Sequence, residues 1–494
     1  MPQKQFKVPE TFKLRLIYGL SFCFLLLNIF FIVHEFYWFS LLPLVLIVVL
    51  LAIYATDNLL LIVVFLTPVA VNLQKLDFGV GVSLPTEPIM FGIMLLFLMK
   101  VLAGGAFDKK IMIYATTTAI LLNISWIVVT CISSTLPIVS FKFFLSRLWF
   151  VVCFYFLATQ LFKDYSNIKK FIWLYTIPLV GVIVYTTLRH AHFNYSEKAA
   201  HWVMEPFYND HTAYAAAIAM FIPIMLAFVT NKNYSFNQRA FSFVILVVLV
   251  AAVVLSYTRA AWISLLVALC VYLLFALKIK IKTLILLSLG GILLFFAFKN
   301  DLMQKLQSNH QDSSSDYASH VKSITNISTD ASNLERINRW HSALRMFAMK
   351  PLLGWGPGTY SFKYAPFQLA QDKTFISTNA GNKGNAHSEY IGPLAESGVL
   401  GALTYLVLIF VFIYKAAILY NASQNREVRL LTIGTLLGLI TYVVHGSLNN
   451  FLDTDKISVP FWGFIAILTA LDVYHKNKPA NLSLHSATEQ SNIV

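Results

Sequence analysis

Fourteen apolar runs occupy most of this 494-residue sequence and constrain its fold more than any other feature. A helix needs about 20 mostly apolar residues to cross the hydrocarbon core of a bilayer. Two of the runs, 58–71 and 89–102, are short, so we predict an all-α, polytopic transmembrane helix bundle with 12–14 spans. The other runs lie near residues 15–33, 38–55, 112–132, 141–162, 168–187, 211–229, 241–257, 261–277, 283–298, 398–417, 430–446 and 457–473.

The composition excludes the water-soluble classes of protein. Hydrophobic residues make up 58% of the chain and charged residues only 12%, whereas about 25% of the residues of soluble domains are charged. So few charges cannot cover the surface of a soluble enzyme, and disordered and nucleic-acid-binding proteins are excluded with it. The net charge of +14 fits a membrane protein with cationic cytoplasmic loops.

The positions of lysine and arginine predict how the spans are oriented. If the N-terminus lies inside, nearly every inner loop contains at least two cations, such as Lys109 and Lys110 or Arg426 and Arg429. This is the distribution that the positive-inside rule describes, so we expect both termini in the cytoplasm. No small-residue cleavage site follows the first apolar run, which indicates a retained helix and not a signal peptide.

This topology leaves two long polar segments on the outer face, at 188–210 and 299–397. The second segment is the only one large enough to form a folded element outside the membrane. We therefore divide the chain into an N-terminal membrane region (1–298), a long outer loop (299–397) and a C-terminal membrane region with its tail (398–494).

The outer loop contains an amphipathic pattern. A helix is predicted from Leu334 to Lys350, because Pro351 ends it and a glycine-rich turn follows. We expect this helix to lie on the outer membrane surface and to bury its apolar side. The apolar residues recur with a helical period at Ile337, Trp340, Leu344 and Phe347.

Arg259 is the first candidate for function, because it lies between two apolar runs that almost no loop separates. An ionisable residue at the membrane interface is costly and is a functional candidate by default. A guanidinium there can hold a phosphate through paired hydrogen bonds. The alternative is an ordinary interfacial arginine whose charge reaches into the headgroup layer.

Arg336 and Arg339 are the second candidates. Residues three apart share one face of a helix, so two arginines can point the same way over the membrane surface and clamp an anion. A solvated face that touches lipid headgroups is the alternative.

His387 and Glu389 lie where the long outer loop returns to the membrane. An imidazole can take a proton from an acceptor hydroxyl at physiological pH, and Glu389 can orient it or share that task. The alternative is that His387 caps the helix that begins there.

Two weaker patterns involve acidic residues. Asp210 precedes His211 at the start of a span and is a candidate helix N-cap. Asp453 and Asp455 resemble the paired acids of metal-dependent glycosyltransferases, although acids in a hydrophilic hairpin are more often solvated. Spacing gives no support for a metal site, and we predict neither a metal nor a cofactor.

Together, these residues place an imidazole, several arginines and a carboxylate on one membrane face. A channel needs charges through the depth of the bilayer, and a transporter usually has them near the midplane. The middle of each span here is almost free of charge. The pattern favours a reaction on a substrate that carries lipid-linked phosphate.

Three stretches of the sequence resemble the O-antigen ligase and polymerase superfamily. They are SYTRAAW, RINRWHSALRMFAMKPLLGWGPGTY and AHSEYIGPLAESGVLGAL, in the order and with the spacing that the family shows. The chain has Ser388 where many members carry asparagine. All three stretches lie in the second half of the chain.

The resemblance implies a metal-independent, inverting glycosyltransferase with a membrane fold of the GT-C kind, in the inner membrane of a bacterium. Its donor would be a glycan on undecaprenyl diphosphate, and its long loop and active site would be periplasmic. By position, His387 would be the general base, and Arg259 and Arg336 would bind the diphosphate. Glu389 as a support for His387 and Arg339 as a further diphosphate ligand come from the residues themselves.

The acceptor separates the branches of this family. It can be the lipid A–core of lipopolysaccharide in a ligase, a growing glycan in a polymerase, or a protein hydroxyl in an O-oligosaccharyltransferase. We favour a ligase. A flippase or transporter for a polysaccharide or lipid is the alternative from a different class.

Overall fold

The computed structural model describes residues 10–72, 83–104, 107–278, 331–374, 377 and 384–476. The chain forms two compact units, 1–59 and 60–494. The expected span at 283–298 lies outside the described residues, as does most of the C-terminal tail.

The first unit is a pair of apolar helices, α1 (Glu10–Val33) and α2 (Leu42–Tyr54), with a short 3₁₀ turn between them. A proline in the first turn of α2 suits a helix start, because its missing N–H has no partner there. Phe24 and Phe39 stack with their ring centroids 5.5 Å apart. The Ser40 hydroxyl donates to Asn28 at 2.8 Å, so the turn is tied to the middle of α1.

The described part of the remaining chain is mostly helical. Helix α3 (Thr56–Leu66) precedes a two-residue antiparallel ladder, with Val71 opposite Leu84. The longer helices after this ladder are α4 (Thr86–Leu102), α5 (Ala115–Ile132), α6 (Pro137–Val151), α7 (Tyr165–Ala191), α8 (His211–Thr230), α9 (Phe236–Leu255), α10 (Arg259–Ala276), α11 (Ala331–Met349), α12 (Ile391–Ala422), α13 (Arg426–His445) and α14 (Asp455–Ala470).

Eleven helices of the described chain are long and apolar enough to cross a membrane. The short runs predicted at 58–71 and 89–102 correspond to α3 and α4. The predicted all-α, polytopic membrane fold is therefore confirmed.

The core of the second unit is built around α8, α13 and α14. Helix α8 packs against α9 and α13, and α13 also packs against α10. Two glycines allow the close approach of α8 and α13: a Cβ at Gly434 would lie 3.0 Å from the Cβ of Ala227, and one at Gly438 would overlap the carbonyl oxygen of Met220. Small residues at such crossings increase the van der Waals contact that holds membrane helices together.

Helix α11 forms where the sequence predicts it, but it buries a different face. Leu344, expected on the buried side, is 45% exposed, whereas Arg339 is 7% exposed and Ala343 and Met346 are fully buried. The helix therefore turns its polar stripe toward the protein and part of its apolar stripe outward. This arrangement suits a helix beside lipid, because the polar groups find partners inside.

The glycine-rich turn after α11 (Gly354–Gly358) packs against a kink in α12 and is hydrogen-bonded to it. Gly398 interrupts α12 with φ 69° and ψ −171°, a conformation that only glycine adopts readily. The backbone N–H groups of Trp355 and Gly356 donate to the carbonyl oxygens of Ala395 and Glu396 at 3.0 and 2.8 Å. A Cβ at Gly398 would overlap the carbonyl oxygen of Leu352.

We expect Gly398→Ala to destabilise the folded protein by about 2 kcal/mol or more, through backbone strain and this overlap. The measurement is the midpoint temperature at which purified protein in detergent loses its monodisperse form. Gly181→Ala in α7 is the matched control, because a Cβ there meets nothing within 4 Å. Equal midpoints for the two variants would contradict this account of the kink.

Candidate active site

The segment before α12 positions His387. The backbone N–H of His387 donates to Asn385 Oδ1 at 3.1 Å, which closes a local turn. His387 has a φ of 48°, in the left-handed region that few non-glycine residues adopt. The N–H groups of Tyr390 and Ile391 donate to the Ser388 hydroxyl at 3.3 Å each. Ser388, and not His387, therefore caps the start of α12. The helix cap that was the alternative role of His387 is thus its neighbour's role.

The surroundings of His387 keep its imidazole neutral. Burial, followed by the charges of Arg339 and Arg336, lowers its pKa to about 3, while Asp210 and Glu335 act in the opposite direction. A neutral imidazole has a nitrogen lone pair that can accept a proton. The structure thus brings His387, Arg336 and Arg339 into one electrostatic neighbourhood.

Arg339 is a buried structural residue and not an exposed clamp. Its Nε donates to Glu335 Oε1 at 2.8 Å, and its Nη1 donates to the carbonyl oxygen of Asn385 at 3.2 Å. Its guanidinium lies over the ring of Tyr364, 5.3 Å from the centroid. The expectation that Arg336 and Arg339 face outward together is therefore corrected, because Arg339 turns inward and holds the segment that carries His387.

Glu335 is the anion that compensates Arg339. Its carboxylate also accepts from the hydroxyls of Ser377 and Thr374, the latter at 3.2 Å. Although burial acts in the opposite direction, the hydrogen bonds from Ser377 and Arg339 hold the pKa of Glu335 below its usual value. The ion pair thus remains charged at neutral pH.

Arg336 acts electrostatically on the site, and the segment of Arg259 contacts one of its histidines. The charges of Arg336 and Asp210 each act on three histidines: His211, His387 and His445. Arg259 is the first residue of α10, and its neighbour Thr258 donates to the carbonyl oxygen of His211 at 3.2 Å.

The Glu389 carboxylate anchors a loop. Its Oε1 accepts from the Tyr442 hydroxyl at 2.6 Å and from the N–H groups of Phe451 and Leu452 at 2.8 and 2.9 Å. Its backbone N–H donates to the carbonyl oxygen of Gly446 at 2.8 Å. Glu389 thereby joins the segment of His387 to the loop between α13 and α14, and this oxygen is committed to that task.

Several polar residues near the site were not among the main candidates. Asp210 caps α8, as its position predicts, with Oδ1 accepting from the N–H groups of Thr212 and Ala213 at 2.8 Å each. The Nδ1 atoms of His201 and His211 lie 3.1 Å apart. His445, at the end of an apolar run, was missed. Its only signal in the sequence is a place at the same predicted membrane face.

The acidic hairpin is not fully solvated, contrary to expectation. Asp455 is 1% exposed, and its Oδ2 accepts from the Thr86 hydroxyl at 2.7 Å. Asp453 faces open space beside it. Among the described residues, no three acidic, histidine or cysteine side chains are arranged to hold a metal ion.

A cavity of about 330 Å³ lies beside the histidines, and Asp210, Asn385 and Asp453 contribute to its wall. This volume falls at the lower end of the range for ligand-binding pockets. The site as a whole therefore joins a cationic region around His387 to a polar, acidic cavity.

These features define a polytopic α-helical membrane protein with a polar site at one end of its second unit. Residues 244–406 match the family model described as O-antigen ligase, and this match confirms the resemblance for that segment of the chain. The matched segment contains Arg259, Arg336, Arg339, His387 and Glu389. No curated protein matches the chain. The match supports a membrane enzyme of the O-antigen ligase or polymerase type.

We expect Glu335→Gln to destabilise the protein by about 3 kcal/mol, because it leaves Arg339 buried without its counter-ion. Asp372→Asn is the matched control: it breaks the pair of Asp372 with Arg345, whose side chain is 30% exposed, and should cost about 1 kcal/mol or less. Thermal unfolding in detergent, together with hydrogen exchange over 331–374, measures both effects. A larger loss in the control would contradict a structural role for the buried pair.

Proposed function

We propose that the protein is a membrane glycosyltransferase that moves a glycan from an undecaprenyl-diphosphate carrier to an acceptor hydroxyl on the periplasmic side. The observation that carries this proposal is the neutral imidazole of His387 within the field of Arg336 and Arg339. A proton acceptor beside fixed positive charge suits a reaction in which a hydroxyl is deprotonated and a diphosphate leaves.

In the proposed reaction, His387 removes the proton from the acceptor hydroxyl as its oxygen attacks the anomeric carbon of the donor. The bond from that carbon to the diphosphate oxygen breaks, and undecaprenyl diphosphate leaves with the electron pair. The attack from the opposite face inverts the anomeric configuration. Arg336 and Arg259 stabilise the charge on the leaving group, the task that a metal ion has in other transferases.

Two further residues act through His387. Arg339 holds the carbonyl group of Asn385, and Glu389 joins the same segment to the loop after α13. We therefore assign both as positioning residues, and we withdraw Arg339 as a direct diphosphate ligand.

Binding of the donor raises the basicity of His387. Burial and two arginine charges make His387 a weak base. A bound diphosphate offsets those charges, which favours the protonated imidazole and raises its pKa. His387 thus becomes an effective base when the donor is in place.

The charge distribution supports a periplasmic site. Helices α8, α10 and α12 begin at the site, whereas Lys232 follows the end of α8, about 30 Å away along the helix. Cations that collect at the far end of the spans support cytoplasmic loops there, in a bacterial inner membrane. Both termini are then cytoplasmic.

Among possible acceptors, we favour the lipid A–core of lipopolysaccharide, as in a ligase. A polymerase or a protein O-oligosaccharyltransferase would use the same donor chemistry. A flippase or transporter is less well supported, because the charges gather at one end of the helices. No metal or other cofactor takes part in the proposed step.

We expect His387→Ala to abolish transfer while the protein still folds and inserts, because the acceptor hydroxyl loses its base. The assay measures release of undecaprenyl diphosphate by purified protein from lipid-linked glycan extracted from the source cells. His341→Ala is the matched control, because the His341 side chain is 47% exposed on α11.

Transfer that survives in His387→Ala would refute the assignment of the base. Excess EDTA should leave wild-type transfer unchanged. A loss that added divalent metal restores would instead favour a metal mechanism through Asp453 and Asp455.

The pH dependence should differ between kcat/KM and kcat. For the free enzyme, a His387 pKa of about 3 predicts a kcat/KM independent of pH from about pH 5 to 8. With donor bound, the raised pKa should make kcat fall as the pH is lowered, because protonated imidazole cannot accept the proton. Arg336→Ala removes a charge that lowers this pKa, so the acid limb of kcat/KM should shift upward. A downward shift would contradict the assignment.

A further inference from the structure

The cavity beside His387 has an acidic wall that the proposed step does not use. Four carboxyl groups line it, from Glu87, Asp210, Asp453 and Asp455. These residues come from α4, the N-cap of α8, the loop after α13 and the start of α14. The cavity is thus built by four separate parts of the fold.

The one lysine at this cavity is turned toward the backbone. Lys456 Nζ donates to the carbonyl oxygen of Ala70 at 2.7 Å and also to that of Thr67. Its charge is therefore committed to the end of α3. The groups that remain for a ligand are acidic, amide and hydroxyl groups.

One polar atom of the cavity wall points to a ligand independently of the acids. Asn450 Oδ1 is buried with no hydrogen-bond partner in the described part of the chain. Buried polar atoms are nearly always paired, so an unpaired one beside a cavity indicates a ligand or ordered water.

The geometry does not suit a metal ion. No three acidic, histidine or cysteine side chains among the described residues are arranged to hold one. Spaced carboxyl groups, amides and a phenol hydroxyl instead match the hydroxyls and N–H groups of a sugar ring.

The cavity also adjoins the cationic region. Asn385 lines it and accepts a hydrogen bond from the backbone of His387, and Asp210 acts electrostatically on the same histidine. A ligand in the cavity therefore lies next to the reacting groups.

We propose that this cavity is a sugar subsite that accepts a neutral or amino-bearing pyranose and rejects an acidic one, such as a uronic acid. The carboxyl groups accept hydrogen bonds from hydroxyl or ammonium groups and repel a ligand carboxylate. The sugar belongs to the donor or to the acceptor. This inference rests on the proposed function for its place in the reaction, but not for its binding chemistry.

The test uses three probes on purified full-length protein in detergent: methyl glucosaminide, methyl glucoside and methyl glucuronide. Binding is measured by calorimetry and by inhibition of transfer. We expect the glucosaminide and the glucoside to bind and the glucuronide to bind at least about tenfold more weakly. A glucuronide that binds as well as the others, or no binding by any probe, would overturn the proposal.

Two variants assign the binding to the cavity. Asp453→Asn should weaken the binding of the glucosaminide about tenfold, because a charged hydrogen-bond acceptor is lost. The ratio of its affinity to that of the glucuronide should fall as well. Asn450→Ala should weaken the binding of both favoured probes without lowering thermal stability, since its Oδ1 has no partner in the described part of the chain. Asp372→Asn, an acid outside the cavity, is the control. Unchanged affinities in both cavity variants would refute the subsite.

Further measurements separate this proposal from the proposed function. Arg336→Ala should weaken the binding of inorganic pyrophosphate and leave the binding of the glycosides unchanged. Asp453→Asn should weaken the binding of the glycosides and leave that of pyrophosphate unchanged. Glycoside selectivity together with transfer that survives in His387→Ala would refute the reaction and keep the subsite. In a transfer assay of Asp453→Asn, a raised KM for the lipid-linked glycan identifies the donor sugar as the occupant, and a raised KM for the acceptor identifies the acceptor sugar.

Discussion

The hydrocarbon core of the bilayer is the constraint on which the rest of this structure depends. Backbone groups inside it must be paired within the segment, so the spans are helices and their central residues are apolar. Polar chemistry is then confined to helix ends. Asp210, His211, Arg259, His387 and His445 all lie at the start or the end of a helix, or just beside it. Residues from four parts of the chain come together because their helices end at one level.

A site made of helix ends needs further contacts that hold its loops in place. Here these contacts are the packing of α11 and the glycine-rich turn against the kink at Gly398, together with the Glu335–Arg339 pair. Burying these two charges is costly, and mutual hydrogen bonding offsets the cost. In return, Arg339 fixes the carbonyl group of Asn385 and thereby the turn that holds His387 in a left-handed conformation.

Sequence reasoning predicted the fold class, most spans and α11, because membrane length and helical period leave a direct mark on the sequence. It also selected Arg259, Arg336 and His387 for their charge at the membrane face. It misjudged Arg339 and the exposed side of α11, because a period tells which residues share a face but not which face is buried. The cavity and His445 were missed, since they depend on helix ends that meet only in three dimensions.

The separation of opposite charges allows the site to bind an anionic group and a sugar side by side. If the cavity carboxylates lay directly against Arg336, the two would neutralise each other, and neither a diphosphate nor a sugar would gain from them. Asp210 and Asn385 lie where the two regions meet, and Arg339 is paired with Glu335 and not with a cavity carboxylate. A lipid-linked glycan has the same polarity, with an anionic diphosphate bonded directly to a hydroxyl-rich ring. The bond between these two halves is the one that the proposed reaction breaks, so a site divided in this way places the reacting carbon at its own boundary.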